Sequence, residues 1–274
     1  MGNPEHKMHA KRWLTAVIAV PIWIYLIGLA PRWLFYAFLY GVSMVGLREF
    51  YRVSASDLPG SCKVLNHLIA LVLFFAVYMG EIYLLLPIII LWAFIPMTVF
   101  MLAHPSADEA STGDLGRGIL GPVYVTLPLA MLVMVDRYPE GRLWIFFLLT
   151  VIVASDTGAF YLGRLFGKHK LYEAVSPGKT WEGAVGGAAT SVFAAAWFLH
   201  LLGLRRVEPG ILLLALILSV AGQIGDLVES MIKRSHQVKD SGRALPGHGG
   251  VLDRIDGLLF AIPVLYVYLS LWAR

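Results

Sequence analysis

Charge is scarce in this chain. Asp, Glu, Lys and Arg together make up 15% of its 274 residues, against 58% hydrophobic residues. A soluble domain of this size carries about a quarter charged residues, so the composition excludes an ordinary water-soluble globule and points to an integral membrane protein. Cysteine is nearly absent as well. The single Cys62 excludes an intrachain disulfide framework and reads as a small buried or lipid-adjacent residue. No His-Glu-x-x-His or Cys-x-x-Cys pattern occurs, and His6, His9, His67, His104, His169 and His200 lack ligand spacing, which argues against a zinc site. There is no internal repeat and no low-complexity tract. The net charge of +4 is modest. In a membrane protein such basic residues report topology and contact with anionic headgroups, and no nucleic-acid partner is expected.

What the chain has in abundance is long apolar runs. Runs of roughly 17–25 residues can span a bilayer, and polar interruptions divide the sequence into nine: 13–30, 32–48, 64–80, 82–102, 119–136, 143–163, 183–203, 209–226 and 255–272. Only Pro31-Arg32 separates the first two and only Gly80-Glu81 the next two, so each pair reads as a helical hairpin. Lys11-Arg12 precede an apolar run with no small-residue cleavage site, which reads as a first span and not a removed signal peptide. With the N-terminus in the cytoplasm, sixteen Lys and Arg fall inside and six outside, as the positive-inside rule requires. The expected architecture is an all-α polytopic bundle of about nine transmembrane helices. It divides into N-terminal spans (1–118, two hairpins) and a C-terminal catalytic region (119–274). The cytoplasmic loops 164–182 and 227–254 share one face. The segment 103–118 reads as a solvated loop.

Against this apolar background three polar groups stand out. Ser219, Gln223, Asp226, Ser230 and Lys233 recur at alternating steps of four and three, one stripe on a helix. A polar stripe entering a membrane faces protein or water and not lipid. Interhelical hydrogen bonding accounts for Ser219 and Gln223; Asp226, beneath a basic segment, favours a functional role. Asp253 and Asp256 lie one helical turn apart at the start of the ninth span, a spacing that suits shared ligation of a hard divalent cation. Helix-dipole stabilisation would explain only one of them. They follow His248-Gly249-Gly250, where glycines permit close backbone approach to a ligand. Lys233, Arg234, Lys239 and Arg243 are interleaved with these acids, a mixture that suits a metal-complexed polyphosphate. The third group is Asp156, set inside the sixth span, with the loop Ser176-Pro177-Gly178-Lys179-Thr180-Trp181-Glu182-Gly183. An intramembrane carboxylate is a functional candidate by default. Gly178-Lys179-Thr180 is not a P-loop, because Glu173 stands where the first glycine is required and no preceding strand is expected. Lys179 suits either phosphate binding or an ordinary inside loop.

The stretch Ser230–Asp256 resembles the signature of the phosphatidate cytidylyltransferase (CDP-diacylglycerol synthase) family. The pattern is met at Ser230, Ile232, Lys233, Arg234, Lys239, Asp240, Gly242, Leu245, Pro246, His248, Gly249, Gly250, Asp253, Arg254 and Asp256. Ser155-Asp156-Thr157 and Ser176–Gly183 are similar to further family segments, whereas residues 1–140 match only as a hydropathy pattern. The resemblance implies an enzyme forming CDP-diacylglycerol and pyrophosphate from CTP and phosphatidic acid. It also implies Mg²⁺, with room for a second cation such as K⁺, and a homodimer whose site opens to cytosol and bilayer. The metal-binding acids would be Asp226 and Asp253 with Asp256. Asp226, Lys239, Asp240, His248, Asp253 and Asp256 would be catalytic. Asp156, Lys179, Lys233, Arg234, Arg243, Gly249 and Gly250 would bind substrate. A bacterial inner (plasma) membrane, with the site facing the cytoplasm, is the expected location. Two competing classes fare worse. A transporter would carry charges at the midplane and halves with matching interruptions. The CDP-alcohol phosphotransferase pattern fails because Asp256-Gly257 is followed by Leu258-Leu259-Phe260.

Overall fold

In the computed structural model of the chain, the described residues are 21–103, 109–202, 208–242, 244 and 249–272. Helix dominates. After helical backbone at 21–28 come α1 (Arg32–Ser54), α2 (Gly60–Met79), α3 (Leu85–Ala103), α4 (Glu109–Gly121), α5 (Leu127–Asp136), α6 (Gly141–Phe166), α7 (Trp181–Leu202), α8 (Pro209–Ser235) and α9 (Leu252–Trp272). Among the described residues, seven helices are long and apolar enough to cross a membrane. Six of them correspond to expected spans from 64–80 onward, and the seventh is the stretch Gly113–Asp136 that covers the expected span at 119–136. The chain is therefore an all-α polytopic membrane protein. The expected run 32–48 is helical as α1; much of the run 13–30 lies outside the described residues.

Two local expectations are corrected. Residues 109–118, read as loop, are helical in α4. Two glycines of α4 let neighbours approach: a Cβ on Gly118 would lie 3.0 Å from Leu58, and one on Gly121 2.8 Å from Tyr51. Tyr51 Oη and Asn66 Nδ2 both donate to the Gly118 carbonyl, at 3.0 and 3.3 Å. Tertiary packing here overrides the poor helix propensity of a glycine-rich segment. Between α4 and α5 the ladder widens into a π-turn at Pro122–Thr126, where Pro122 and Pro128 each withhold an N–H donor.

The second correction concerns loop 164–182. It contains an antiparallel hairpin, β1 (Lys170–Tyr172) with β2 (Ser176–Thr180), and β2 runs directly into α7. A strand does precede the helix, then; the P-loop reading still fails at Glu173.

By compactness the chain forms two units. The first comprises Met1–Val133 with His236–Arg254, the second Met134–Ser235 with Ile255–Arg274. In the first, α1 buries Phe35, Leu39, Leu47, Phe50 and Tyr51 on one side, at helical spacing. Ser43 donates to Thr126 across this core at 3.0 Å. Cys62 is fully buried, as its sequence context suggests.

In the second unit, α6 and α7 pack with almost no side-chain separation. A Cβ on Gly183 would lie 2.8 Å from the Ala159 carbonyl, and one on Gly187 2.6 Å from the Ser155 carbonyl. The Gly183-x-x-x-Gly187 spacing thus serves packing inside one chain. Gly225 does the same for α8 against α9: a Cβ there would meet the Asp256 carbonyl at 2.5 Å.

Candidate active site

The polar residues of the second unit are brought together by these close helix contacts. Ser155 on α6 and Ser219 on α8 share a hydrogen bond of 2.7 Å and are both buried. Gln223 Nε2 donates to Ser155 Oγ (3.3 Å), Ser219 Oγ (3.3 Å) and the Ala184 carbonyl (3.1 Å), tying α6, α7 and α8 together. Ser219 and Gln223 are the interhelical contacts that the stripe predicted.

One turn further along α8 the seam changes character. Asp226 Oδ2 lies 2.6 Å from Lys179 Nζ, and Ser230 Oγ donates to Asp226 Oδ1 at 3.4 Å. Gly225 sets the α8 backbone against α9 at Asp256, so Asp226 faces Asp256 closely enough for their charges to interact. Asp156 on α6 lies within reach of both Asp226 and Lys179. Gly257 N–H donates to Asp256 Oδ1 at 2.8 Å. Three carboxylates converge with the Lys179 ammonium on the middle one. Lys233, which also reaches Asp256 electrostatically, pairs with the buried Glu229 at 2.6 Å.

Lys179 reaches Asp226 because of how the hairpin is anchored. Thr180 Oγ1 accepts the Gly183 N–H at 3.2 Å, which makes Thr180 the N-cap of α7. Glu182 accepts the Lys168 and His169 N–H groups at 3.1 and 3.2 Å and pairs with His169 Nδ1 at 2.6 Å. Trp181 N–H returns to the His169 carbonyl at 2.9 Å. The base of the hairpin is thus fixed to the helix, and Lys179 stands one residue before the cap.

The first unit holds a different polar centre. Asp253, in the first turn of α9, accepts the Ser241 N–H (3.1 and 3.0 Å to its two oxygens) and the Gly250 N–H (2.7 Å). Beside it lies Glu49 of α1, only 5% exposed, which accepts the Leu252 N–H at 2.9 Å and the Ser241 hydroxyl at 3.4 Å. Arg52 donates to the Ser241 carbonyl. Gly242 and Gly250 face Glu49 with no room for a side chain, and Gly249 has φ +81°, a conformation that favours glycine.

The structure therefore brings Asp156, Lys179, Asp226 and Asp256 together in one unit, and Gly249, Gly250 and Asp253 in the other. Lys239, Asp240 and Arg234 are exposed. Arg243 and His248 lie outside the described residues. Two residues of the first unit's centre, Glu49 and Arg52, were not singled out from sequence. Their only signal was a carboxylate and a guanidinium at i and i+3 near the end of an apolar helix, inside a segment where arginines are expected on topological grounds.

The molecule is thus a polytopic membrane protein whose second unit gathers carboxylates and a lysine, and whose first unit holds a glycine-framed acidic loop. The chain belongs to the cytidylyltransferase family, whose profile it matches over residues 10–272. It is 33% identical over 260 residues to the phosphatidate cytidylyltransferase of Staphylococcus haemolyticus, covering 94% of this chain and 98% of that one. It is 39% identical over 177 residues to that of Staphylococcus saprophyticus (64% and 67% of the two chains) and 46% identical over 138 residues to that of Bacillus subtilis (50% and 51%).

Proposed function

We propose that this protein transfers the cytidylyl group of CTP to phosphatidic acid, releasing pyrophosphate and forming CDP-diacylglycerol for phospholipid synthesis. Its full-length similarity to a phosphatidate cytidylyltransferase is the observation that carries this reading. The convergence of Asp156, Asp226 and Asp256, with Lys179 paired to Asp226, is what the chemistry asks for.

A phosphate oxygen of phosphatidic acid attacks the α-phosphorus of CTP. As that O–P bond forms, the bond from the α-phosphorus to the oxygen bridging it to the β-phosphate breaks, and pyrophosphate leaves. A phosphate monoester has a second pKa of about 6. The nucleophile is therefore already ionised at neutral pH, and no strong general base is needed. The obstacle is repulsion between two polyanions, so positioning and charge compensation supply the rate.

Hard carboxylate oxygens suit Mg²⁺, which is typically bound through one or two carboxylates plus substrate phosphates and not in an all-protein cage. Among the described residues no three His, Cys, Asp or Glu are grouped to hold a metal ion, so substrate phosphates would have to supply further ligands. Asp226 and Asp256 would hold the cation, with Asp156 beside them. A bound divalent ion would polarise the phosphoryl oxygens and neutralise developing charge. Lys179, which pairs with Asp226 at 2.6 Å, would also offer a compact point charge to a phosphate oxygen. By the family resemblance, Lys239, Asp240 and Asp253 in the signature stretch also take part in the reaction, with Arg234 and Lys233 as further phosphate-side cations. The sixteen-to-six distribution of Lys and Arg supports a cytoplasmic N-terminus and a site facing the cytoplasm of a plasma membrane. The family resemblance supports a homodimer and a second cation such as K⁺.

The test is conversion of labelled CTP to labelled CDP-lipid by purified protein in phosphatidate-containing vesicles, with and without EDTA. Activity that disappears on chelation and returns with Mg²⁺ is expected. Protein that is folded yet makes no labelled lipid at saturating Mg²⁺ overturns the reading.

A further inference from the structure

Glu49 poses a question that the transfer chemistry does not answer. It is a carboxylate buried in the first unit, on the helix whose Arg52 also reaches the signature stretch. Burying a carboxylate is costly unless its oxygens are satisfied, and Glu49 finds its donors nearly two hundred residues away. One is the Leu252 N–H, among the first amides of α9 that have no partner within the helix. The positive end of the helix dipole also favours an anion there. The other is the Ser241 hydroxyl, on the opposite stem of the same loop. Arg52, one turn along, holds the Ser241 carbonyl. Ser241 is thereby gripped at its carbonyl by Arg52, at its hydroxyl by Glu49 and at its amide by Asp253. The glycines at 242 and 250 complete the fit, since any Cβ would collide with the Glu49 carboxylate.

We propose that Glu49, seconded by Arg52, is a positioning residue. It pins the two stems of the signature loop, Ser241-Gly242 and Gly250-Leu252, and so fixes the orientation of the Asp253 carboxylate. The Asp253 oxygens accept N–H groups from both stems, so any shift of one stem relative to the other turns that carboxylate. Glu49 itself touches no substrate. Its contribution is length and acceptor geometry. The consequence for activity rests on the cytidylyl-transfer reading above; the consequence for the loop does not.

The test uses the full-length protein in vesicles and three variants, Glu49→Gln, Glu49→Asp and Glu49→Ala. Gln keeps the length and one carbonyl acceptor, whereas Asp keeps the charge but is one methylene too short to reach Leu252. Activity is expected to rank Glu, then Gln, then Asp and Ala. For the latter two, kcat should fall by about 10²-fold, the cost of roughly an ångström of misplacement, with the KM for CTP little changed. Hydrogen exchange should accelerate at the amides of Ser241 and Leu252 in Glu49→Asp and stay at wild-type rates in the transmembrane helices. Full activity in Glu49→Asp with none in Glu49→Gln would overturn the proposal in favour of a role for the charge itself. So would wild-type exchange at both amides in Glu49→Asp, whatever the activity. If the wild-type protein makes no CDP-lipid, the cytidylyl-transfer reading fails, and the exchange rates still decide whether Glu49 pins the loop.

Discussion

The two polar centres use acidic residues in opposite ways. In the first unit, Asp253 and Glu49 spend their oxygens on backbone amides and a serine hydroxyl, each bond fixing a piece of loop. In the second, Asp226 meets a lysine and two other carboxylates, and backbone amides contribute little. A carboxylate satisfied by amides shapes the chain. One crowded against like charges concentrates negative charge at one place in the fold. The half-exposed Lys179–Asp226 pair adds to that contrast, because exposed ion pairs are worth only about 0–1 kcal/mol of stability. Fold stability does not account for its presence.

Substitutions can break this contrast or sharpen it. The largest effect is expected from Asp226→Asn, which should lower kcat by about 10²–10³-fold, as losing one preorganised electrostatic group does, with the thermal midpoint of the purified protein unmoved. Asp253→Asn should reduce activity too, but it replaces an amide-accepting oxygen by a donor. A stability loss of about 0.5–2 kcal/mol, the usual cost of a lost helix cap, should accompany it. If both variants leave thermal stability intact, the division of roles between the two acids collapses. Lys179→Ala should cost about tenfold or more in kcat and raise the KM for CTP, while changing stability by no more than about 1 kcal/mol. Ser219→Ala should have the smallest effect: about 0.6 kcal/mol, typical of a hydrogen bond between membrane helices, with near-normal CDP-lipid formation. A dead but folded Ser219→Ala enzyme would move the serine seam from packing into chemistry.

Much of the second centre was legible beforehand. The alternating four-and-three spacing from Ser219 to Lys233 needs only a helix to become a seam, and α8 runs unbroken from Pro209 to Ser235. Asp156 was conspicuous because a carboxylate inside an apolar run is expensive. The α4 helix was hidden by its glycines, whose value lies in what packs against them and not in their propensity. The hairpin at 170–180 was hidden because its strands are short, and their pairing depends on Glu182 and His169 closing the base. Glu49 was invisible for a different reason. Its partners Ser241 and Leu252 lie far along the chain, and no local pattern encodes a contact across that distance.

Sequence alone determined that this is a polytopic membrane protein with an acidic, basic and glycine-rich signature suited to nucleotide phosphates. Hydropathy acts residue by residue, and a motif is local, so both survive without coordinates. The tertiary structure decided which acids keep company. Gly225 lets α8 touch α9 and sets Asp226 beside Asp256, while Asp253, three residues earlier on the same helix, accepts the Ser241 amide, and the Ser241 hydroxyl goes to Glu49. Backbone contact at a glycine and a buried carboxylate's search for donors are both long-range events, settled only when the helices pack.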